Sequence, residues 1–154
     1  MNVILNVAEF KSANVSLQAP IKNTVMDNST FMRALYSTEQ AVFTSIVCLV
    51  NIEMERQEKW FNKWKCTFDK LSNRQDAERL VLMEYEIMQL AKVSYKTPCY
   101  TLRDQIHNGH LKTFNQKITE KEALVIKICG IWETLTEYGL TYKLNYVQLV
   151  THGL

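Results

Sequence analysis

Apolar residues recur at intervals of three and four along the middle of the chain, where neither Gly nor Pro occurs between residues 38 and 95. This spacing is typical of amphipathic helices, whose buried face repeats every 3.6 residues. The polar segment that begins at Ser72 is the best break, because its side chains compete for backbone hydrogen bonds. The pattern therefore predicts helices over 38–71 and 74–95, joined by a tight turn or a kink.

A further helix is predicted over 119–138. Thr119 and Glu122 have the spacing of a capping box at its start, and Gly139 is placed as a left-handed stop at its end. The tail after Gly139 alternates apolar and polar residues at first, as a strand does, but it also fits helical spacing, and a helix is predicted there. Residues 1–28 mix short apolar pieces with Asn, Ser and Pro, and are interpreted as an irregular N-terminal arm.

These segments predict an all-α protein with a single domain over residues 1–154. The expected architecture is a compact bundle of about five helices around a long central helix or helical hairpin. The scarcity of turn residues, with four Gly and two Pro in 154 residues, favours this interpretation over a many-stranded fold. The alternative is an α+β fold with short strands at the two termini.

Composition and charge indicate the cellular compartment of the protein more clearly than its function. Lys and Arg number 18 against 16 Asp and Glu, and a net charge of +2 is too small to indicate nucleic acid or a membrane surface. The longest apolar run, 41–50, is about half of the roughly 20 residues that a membrane span requires. The N-terminal sequence lacks a basic leader, and the four Cys show no paired spacing, so we expect reduced thiols in the cytoplasm or nucleus and no membrane span.

Two of the predicted helices, 74–95 and 119–138, are apolar on more than one face. Such a helix is either central in its own bundle or covered by another chain. The second apolar faces predict a partner-binding surface made of Val81, Leu82, Tyr85, Met88, Val125 and Trp132. The leading functional hypothesis is a non-catalytic protein–protein interaction protein, an adaptor or a small subunit of a larger assembly, which packs against another chain of the same or a different kind.

The stretch KWFNKWKCTFDKL, residues 59–71, supplies the alternative hypothesis. On a helix its aromatic residues would form one stripe, with Trp64 and Phe68 in the core, while Lys63 and Lys70 would face solvent beside them. The neighbouring basic stripe consists of Arg56, Lys59, Lys63, Lys70 and Arg74. A helical nucleic-acid-binding protein would use that stripe to contact phosphates.

Candidate chemistry is concentrated at Cys99, Asp104, His107 and His110. Structural zinc usually takes four ligands with paired spacings, which these residues only approximate, so we interpret the two histidines as exposed turn residues. His152 has no obvious partner. No phosphate-binding loop, nucleophile elbow or zinc-protease motif occurs, and the sequence predicts neither an enzyme nor a bound cofactor or metal.

Overall fold

The computed structural model describes residues 2–149, so the prediction for His152 lies outside the described residues. In the described part of the chain there are twelve strands and two α-helices. The strands are β1 (Asn2–Asn6), β2 (Val15–Leu17), β3 (Ile21–Lys22), β4 (Thr30–Ser37), β5 (Val42–Phe43), β6 (Ser45–Val50), β7 (Met54–Trp60), β8 (Lys63–Phe68), β9 (Thr97–Cys99), β10 (His110–Thr113), β11 (Glu122–Glu133) and β12 (Glu137–Gln148), and the helices are α1 (Arg74–Gln89) and α2 (Thr101–His107).

The larger sheet is organised around β11. One edge of β11 pairs antiparallel with β12 along its length, and β9 adds to the far side of β12 in parallel. The other edge is shared, because residues 124–128 pair with β6 and residues 130–133 pair with β4. β1 extends the sheet beside β6 in parallel, while β2, β3 and β5 pair with β4. The smaller sheet has the order β10, β8, β7, and its three strands are antiparallel.

Alternate residues of the strands are buried, which is the signature of a sheet with one face on the core. In β6 the buried positions are Ile46, Cys48 and Val50, and the residues between them are partly exposed. In β8, Cys66 and Phe68 are buried in the same way. The alternation explains why these segments are strands, since a helix would place residues two apart on different sides.

Two tight turns of the larger sheet contain neither glycine nor proline. The hydroxyl of Thr38 accepts hydrogen bonds from the backbone N–H groups of Gln40 and Ala41, which closes the turn between β4 and β5. Thr134 makes the same arrangement between β11 and β12, where its hydroxyl accepts from two backbone N–H groups of the loop. Side-chain oxygens of this kind substitute for the backbone bond of a turn.

Helix α1 packs on the sheets through one face, which includes Leu80, Met83 and Ile87. Its first turn is held by Asp76, whose carboxylate accepts a hydrogen bond of 2.6 Å from the backbone N–H of Asn51, at the end of β6. This bond positions the helix relative to the larger sheet, because it joins the helix start to the strand that pairs with β11.

The prediction of an all-α bundle is wrong, and the α+β alternative is closer to the structure. The segment 38–71 contains four strands, β5 to β8, instead of a helix. The segment 119–138 contains β11 and the start of β12, and the predicted N-terminal arm 1–28 contributes three strands. Helix 74–95 is present but ends at residue 89. The secondary structure of these segments was determined by strand pairing between residues that are distant in the sequence, and not by local propensity.

The residues of segment 59–71 that were predicted to be core or solvent-facing agree with those predictions only in part. Phe68 is buried, and Trp64 is partly buried against the core. Lys70 is exposed, whereas Lys63 is half-buried. The four cysteines are free thiols, as predicted, and burial raises the pKa of Cys48 to about 12.

Gly130 marks the point where β11 changes partners from β6 to β4. A Cβ atom at this position would lie 2.0 Å from the carbonyl oxygen of Met32, in β4. We expect Gly130→Ala to lower the free energy of unfolding by about 3 kcal/mol, because the contact is with backbone and two strands must separate. Urea unfolding followed by circular dichroism would measure this, and Lys127→Ala in the same strand should change stability by no more than about 0.5 kcal/mol. Equal stability of Gly130→Ala and the wild type would contradict the close approach of β4 to β11.

Candidate functional site

An open groove of about 600 Å³ runs between α1 and α2. Helix α1 lines it with residues that recur every three or four positions, as one face of a helix requires. These residues are Arg74, Ala77, Glu78, Val81, Leu82 and Tyr85. The opposite wall is formed by Tyr100, Arg103, Ile106 and His107, and Lys70 lies at one end.

The middle of the groove is apolar. Ala77 and Ile106 are buried in its floor, and Val81 packs partly against the core. Leu82 and Tyr85 stand on the rim with 55% and 51% of their surface exposed. Two large apolar side chains left half in water beside a concavity are typical of a contact surface.

Cations lie at both ends of the groove. At one end the Lys70 ammonium donates a hydrogen bond of 3.0 Å to the backbone carbonyl of His107. At the same end the Arg74 guanidinium is 3.7 Å from the Glu78 carboxylate, and both side chains are exposed, so this pair contributes little stability. At the other end the Arg103 guanidinium lies 4.6 Å from the centre of the Tyr100 ring.

The two tyrosines of the groove stack on each other. The rings of Tyr85 and Tyr100 are 6.2 Å apart and inclined by 28°. Burial, followed by the neighbouring Tyr138, raises the pKa of the Tyr100 phenol, so its hydroxyl stays protonated at neutral pH. With Arg103 above one ring, this end of the groove combines aromatic area with a positive charge.

The buried carboxylate of Glu84 fixes α2 against α1. Its two oxygens accept hydrogen bonds of 2.9 Å from the backbone N–H groups of Leu102 and Arg103, in the first turn of α2. These N–H groups have no partner inside their own helix, so a side chain of α1 caps the start of α2. Burial raises the pKa of Glu84, although the two N–H groups oppose this shift.

The structure brings together only half of the predicted partner-binding residues. Val81, Leu82 and Tyr85 line the groove. Met88 and Val125 are buried in the protein interior. Trp132 is on β11, where its ring covers Gly139 and would contact any Cβ placed there at 2.7 Å.

The predicted basic stripe is divided between two places. Lys70 and Arg74 lie at the groove. Arg56 and Lys59 are on β7 and Lys63 is on β8, in the three-stranded sheet. The five residues therefore do not form one stripe on one helix.

The four candidate metal ligands do not converge. Within residues 2–149, no group of three or more His, Cys, Asp or Glu side chains is placed to hold a metal ion. The Cys99 thiol donates a hydrogen bond of 3.0 Å to the Glu137 carboxylate. Burial and then this bond raise the pKa of Cys99 to about 11, which disfavours the thiolate that a metal requires.

Sequence reasoning missed the α2 side of the groove. Tyr100, Arg103 and Ile106 recur three residues apart, and this periodicity after Pro98 was the available signal. The segment is only seven residues long, so its helical pattern is brief.

Comparison of the chain with protein-family models, with curated proteins and with solved structures finds no match. Among the described helices, none has the length and apolar character that crossing a membrane requires.

Replacing Glu84 tests the link between the helices. We expect Glu84→Gln to lower the free energy of unfolding by about 1–3 kcal/mol, because a glutamine oxygen can replace one acceptor while its NH₂ group faces the second backbone N–H. The folded wild type holds the Glu84 proton more tightly than the unfolded chain, so this residue's contribution is largest at low pH and is lost as pH rises through its raised pKa. The difference in free energy of unfolding between the wild type and Glu84→Gln, called the gap below, should therefore decrease as pH rises.

Urea titrations at a series of pH values would measure this gap. Glu78→Gln, an exposed position on the same helix, is the control and should change the free energy of unfolding by no more than about 0.5 kcal/mol. A gap that widens with rising pH would contradict the assignment.

Proposed function

We propose that this chain is a non-catalytic protein–protein interaction protein, an adaptor or a small subunit of a larger assembly. Its partner presents an amphipathic helical segment with acidic residues, which lies in the groove between α1 and α2. The observation that carries the proposal is the combination of half-exposed Leu82 and Tyr85 with cations at both ends of one groove.

The size of the groove supports a helical occupant. From Arg74 to Tyr85 the groove follows α1 for about 17 Å, at 1.5 Å per residue. Three turns of a partner helix have this length and would place apolar residues at i, i+3 or i+4, and i+7 along the groove. Residues with this spacing could pack on Val81, Leu82 and Ile106.

The charges support an acidic occupant. Lys70, Arg74 and Arg103 line the groove, and Glu78 is the carboxylate among its lining residues in the described chain. Acidic side chains at the two ends of a bound helix would therefore meet opposite charges, which favours the encounter and fixes the direction of the helix.

Leu82→Asp tests the groove. It should weaken partner binding about 30-fold or more, because a carboxylate would replace a central apolar contact and a hot-spot residue contributes about 2 kcal/mol or more. The measurement is titration of a partner purified with the wild-type chain, followed by cross-linking to locate the contacting segment. Leu135→Asp, at an exposed loop position far along the sequence, is the matched control and should bind as the wild type does.

The proposal fails if Leu82→Asp and Leu135→Asp bind the partner equally well. It also fails if the cross-linked segment has no acidic residues, since Lys70, Arg74 and Arg103 would then have no counterpart.

A further inference from the structure

A second surface, separate from the groove, lies on the three-stranded sheet. The inner face of this sheet carries the buried residues Cys66, Phe68 and Leu111. Cross-strand pairing places Trp60 opposite Lys63, and Lys65 opposite Lys112, on the outer face. This outer face therefore holds lysines together with an aromatic ring, at positions that alternate with the core.

The lysines of this surface lie close to aromatic rings. The Lys112 ammonium is 4.2 Å from the centre of the Trp60 ring. The ammonium groups of Lys63 and Lys143 lie 5.0 Å and 5.8 Å from the centre of the Phe114 ring. Trp60 and Phe114 nevertheless remain 47% and 46% exposed, so part of each ring is open to a ligand.

Three of these lysines converge on a recess of about 300 Å³. Lys63, Lys112 and Lys143 line it together with Phe114 and Leu144, and the polar groups Thr101, Gln105 and Tyr142 complete its wall. No carboxylate lines this recess in the part of the chain that the structure describes.

The polar wall of the recess is already ordered. The Gln105 amide donates a hydrogen bond of 3.1 Å to the Tyr142 hydroxyl, and the hydroxyls of Thr101 and Tyr142 are 3.3 Å apart. Burial raises the pKa of Tyr142 to about 12, so its hydroxyl keeps its proton at neutral pH. Hydroxyls and ammonium groups directed at one recess are typical of a phosphate site.

The positive charge of the surface is largely unneutralised. Among residues 2–149, Lys63, Lys65, Lys112 and Lys143 form no ion pair. Glu58 is the acidic residue on this face of β7; it lies opposite Lys65 on β8, but its carboxylate is bound at 2.6 Å by Arg56. The local charge therefore exceeds what the overall net charge of +2 suggests.

The turn beside this surface exposes another aromatic ring at a conformational cost. Phe61 follows Trp60 in the two-residue turn between β7 and β8, has a φ of 56° and is 84% exposed. Hairpin turns with a left-handed first residue favour glycine, and a bulky residue there is strained. Such strain is typical of a position selected for contact with a ligand.

We propose that this outer face binds single-stranded nucleic acid, with a phosphate in the recess of Lys63, Lys112 and Lys143 and with bases stacked on Trp60, Phe61 and Phe114. A charged groove beside exposed aromatic rings is the arrangement by which proteins hold single strands. Double-stranded nucleic acid hides its base faces and would leave the three rings unused. A phospholipid bilayer would contact the projecting Phe61 but would not fill the recess as a flexible strand does.

Binding of fluorescein-labelled single strands tests this site. Oligothymidylate and oligouridylate of about 16 nucleotides, the upper range of sites on one small domain, are titrated with the full chain over about 50–200 mM salt. The expected result is binding that weakens with salt. The variant Lys63→Ala/Lys112→Ala/Lys143→Ala should bind about tenfold or more weakly, with a log–log salt slope shallower by about 0.7, since the three lysines hold one phosphate and each neutralised phosphate contributes about 0.7.

A matched triple variant controls for net charge. Lys11→Ala/Lys22→Ala/Lys121→Ala removes the same three charges from exposed positions outside the cluster and should bind as the wild type does. Equal loss in both triple variants would overturn the site. Binding of a duplex as tightly as a single strand would also overturn it, as would binding of phosphatidylserine vesicles without binding of either oligonucleotide.

Phe61→Gly separates binding from folding. Glycine accepts a φ of 56° without strain, so the unfolding midpoint should stay equal or rise, while affinity for both oligonucleotides should fall about tenfold through the lost stacking contact. Unchanged affinity in a folded Phe61→Gly variant would contradict the proposed stacking of a base on Phe61. Loss of nucleic-acid binding by the lysine variant with partner binding retained would show that the surface and the groove act independently.

Discussion

The larger sheet depends on one strand that has three partners. β11 pairs with β12 on one edge and with β6 and then β4 on the other, and the register shifts between Ile128 and Gly130. Both edges of β11 are thereby occupied along most of its length, and the remaining strands are attached through β12, β6 or β4. The missing side chain of Gly130 permits this arrangement, because β4 approaches closely where β6 ends its pairing.

The short helix α2 connects the two proposed binding surfaces. Tyr100, Arg103 and Ile106 face the groove, while Thr101 and Gln105 face the lysine recess. The Gln105 side chain also accepts a hydrogen bond of 3.0 Å from the backbone of Lys112, in β10. Because the Glu84 carboxylate caps α2, one buried acid of α1 positions residues of both surfaces. The two surfaces can therefore bind their ligands independently, although both depend on the Glu84 cap for the position of α2.

Helix α1 was predictable, because its apolar residues recur with helical spacing over sixteen residues. The strands were misassigned because an interval of four fits both periods: Trp64 and Phe68 share a face in a helix and also in a strand. The residue between them decides, since Cys66 is apolar and buried. The turns between strands could not be recognised from the sequence, because Thr38 and Thr134 close two of them without Gly or Pro. The spacing of Val81, Leu82 and Tyr85 placed them on one face of a helix, but the α2 wall of the groove depends on the packing of distant elements.

The position of β11 late in the sequence determines when the larger sheet can form during synthesis. β4 and β6 leave the ribosome long before residue 122, yet each needs β11 to cover one edge. A newly made chain therefore carries two open strand edges until β11 emerges, and such edges invite pairing with other chains. Slower translation would leave those edges open for longer, and a product truncated before β11 would keep them open and would be prone to aggregation.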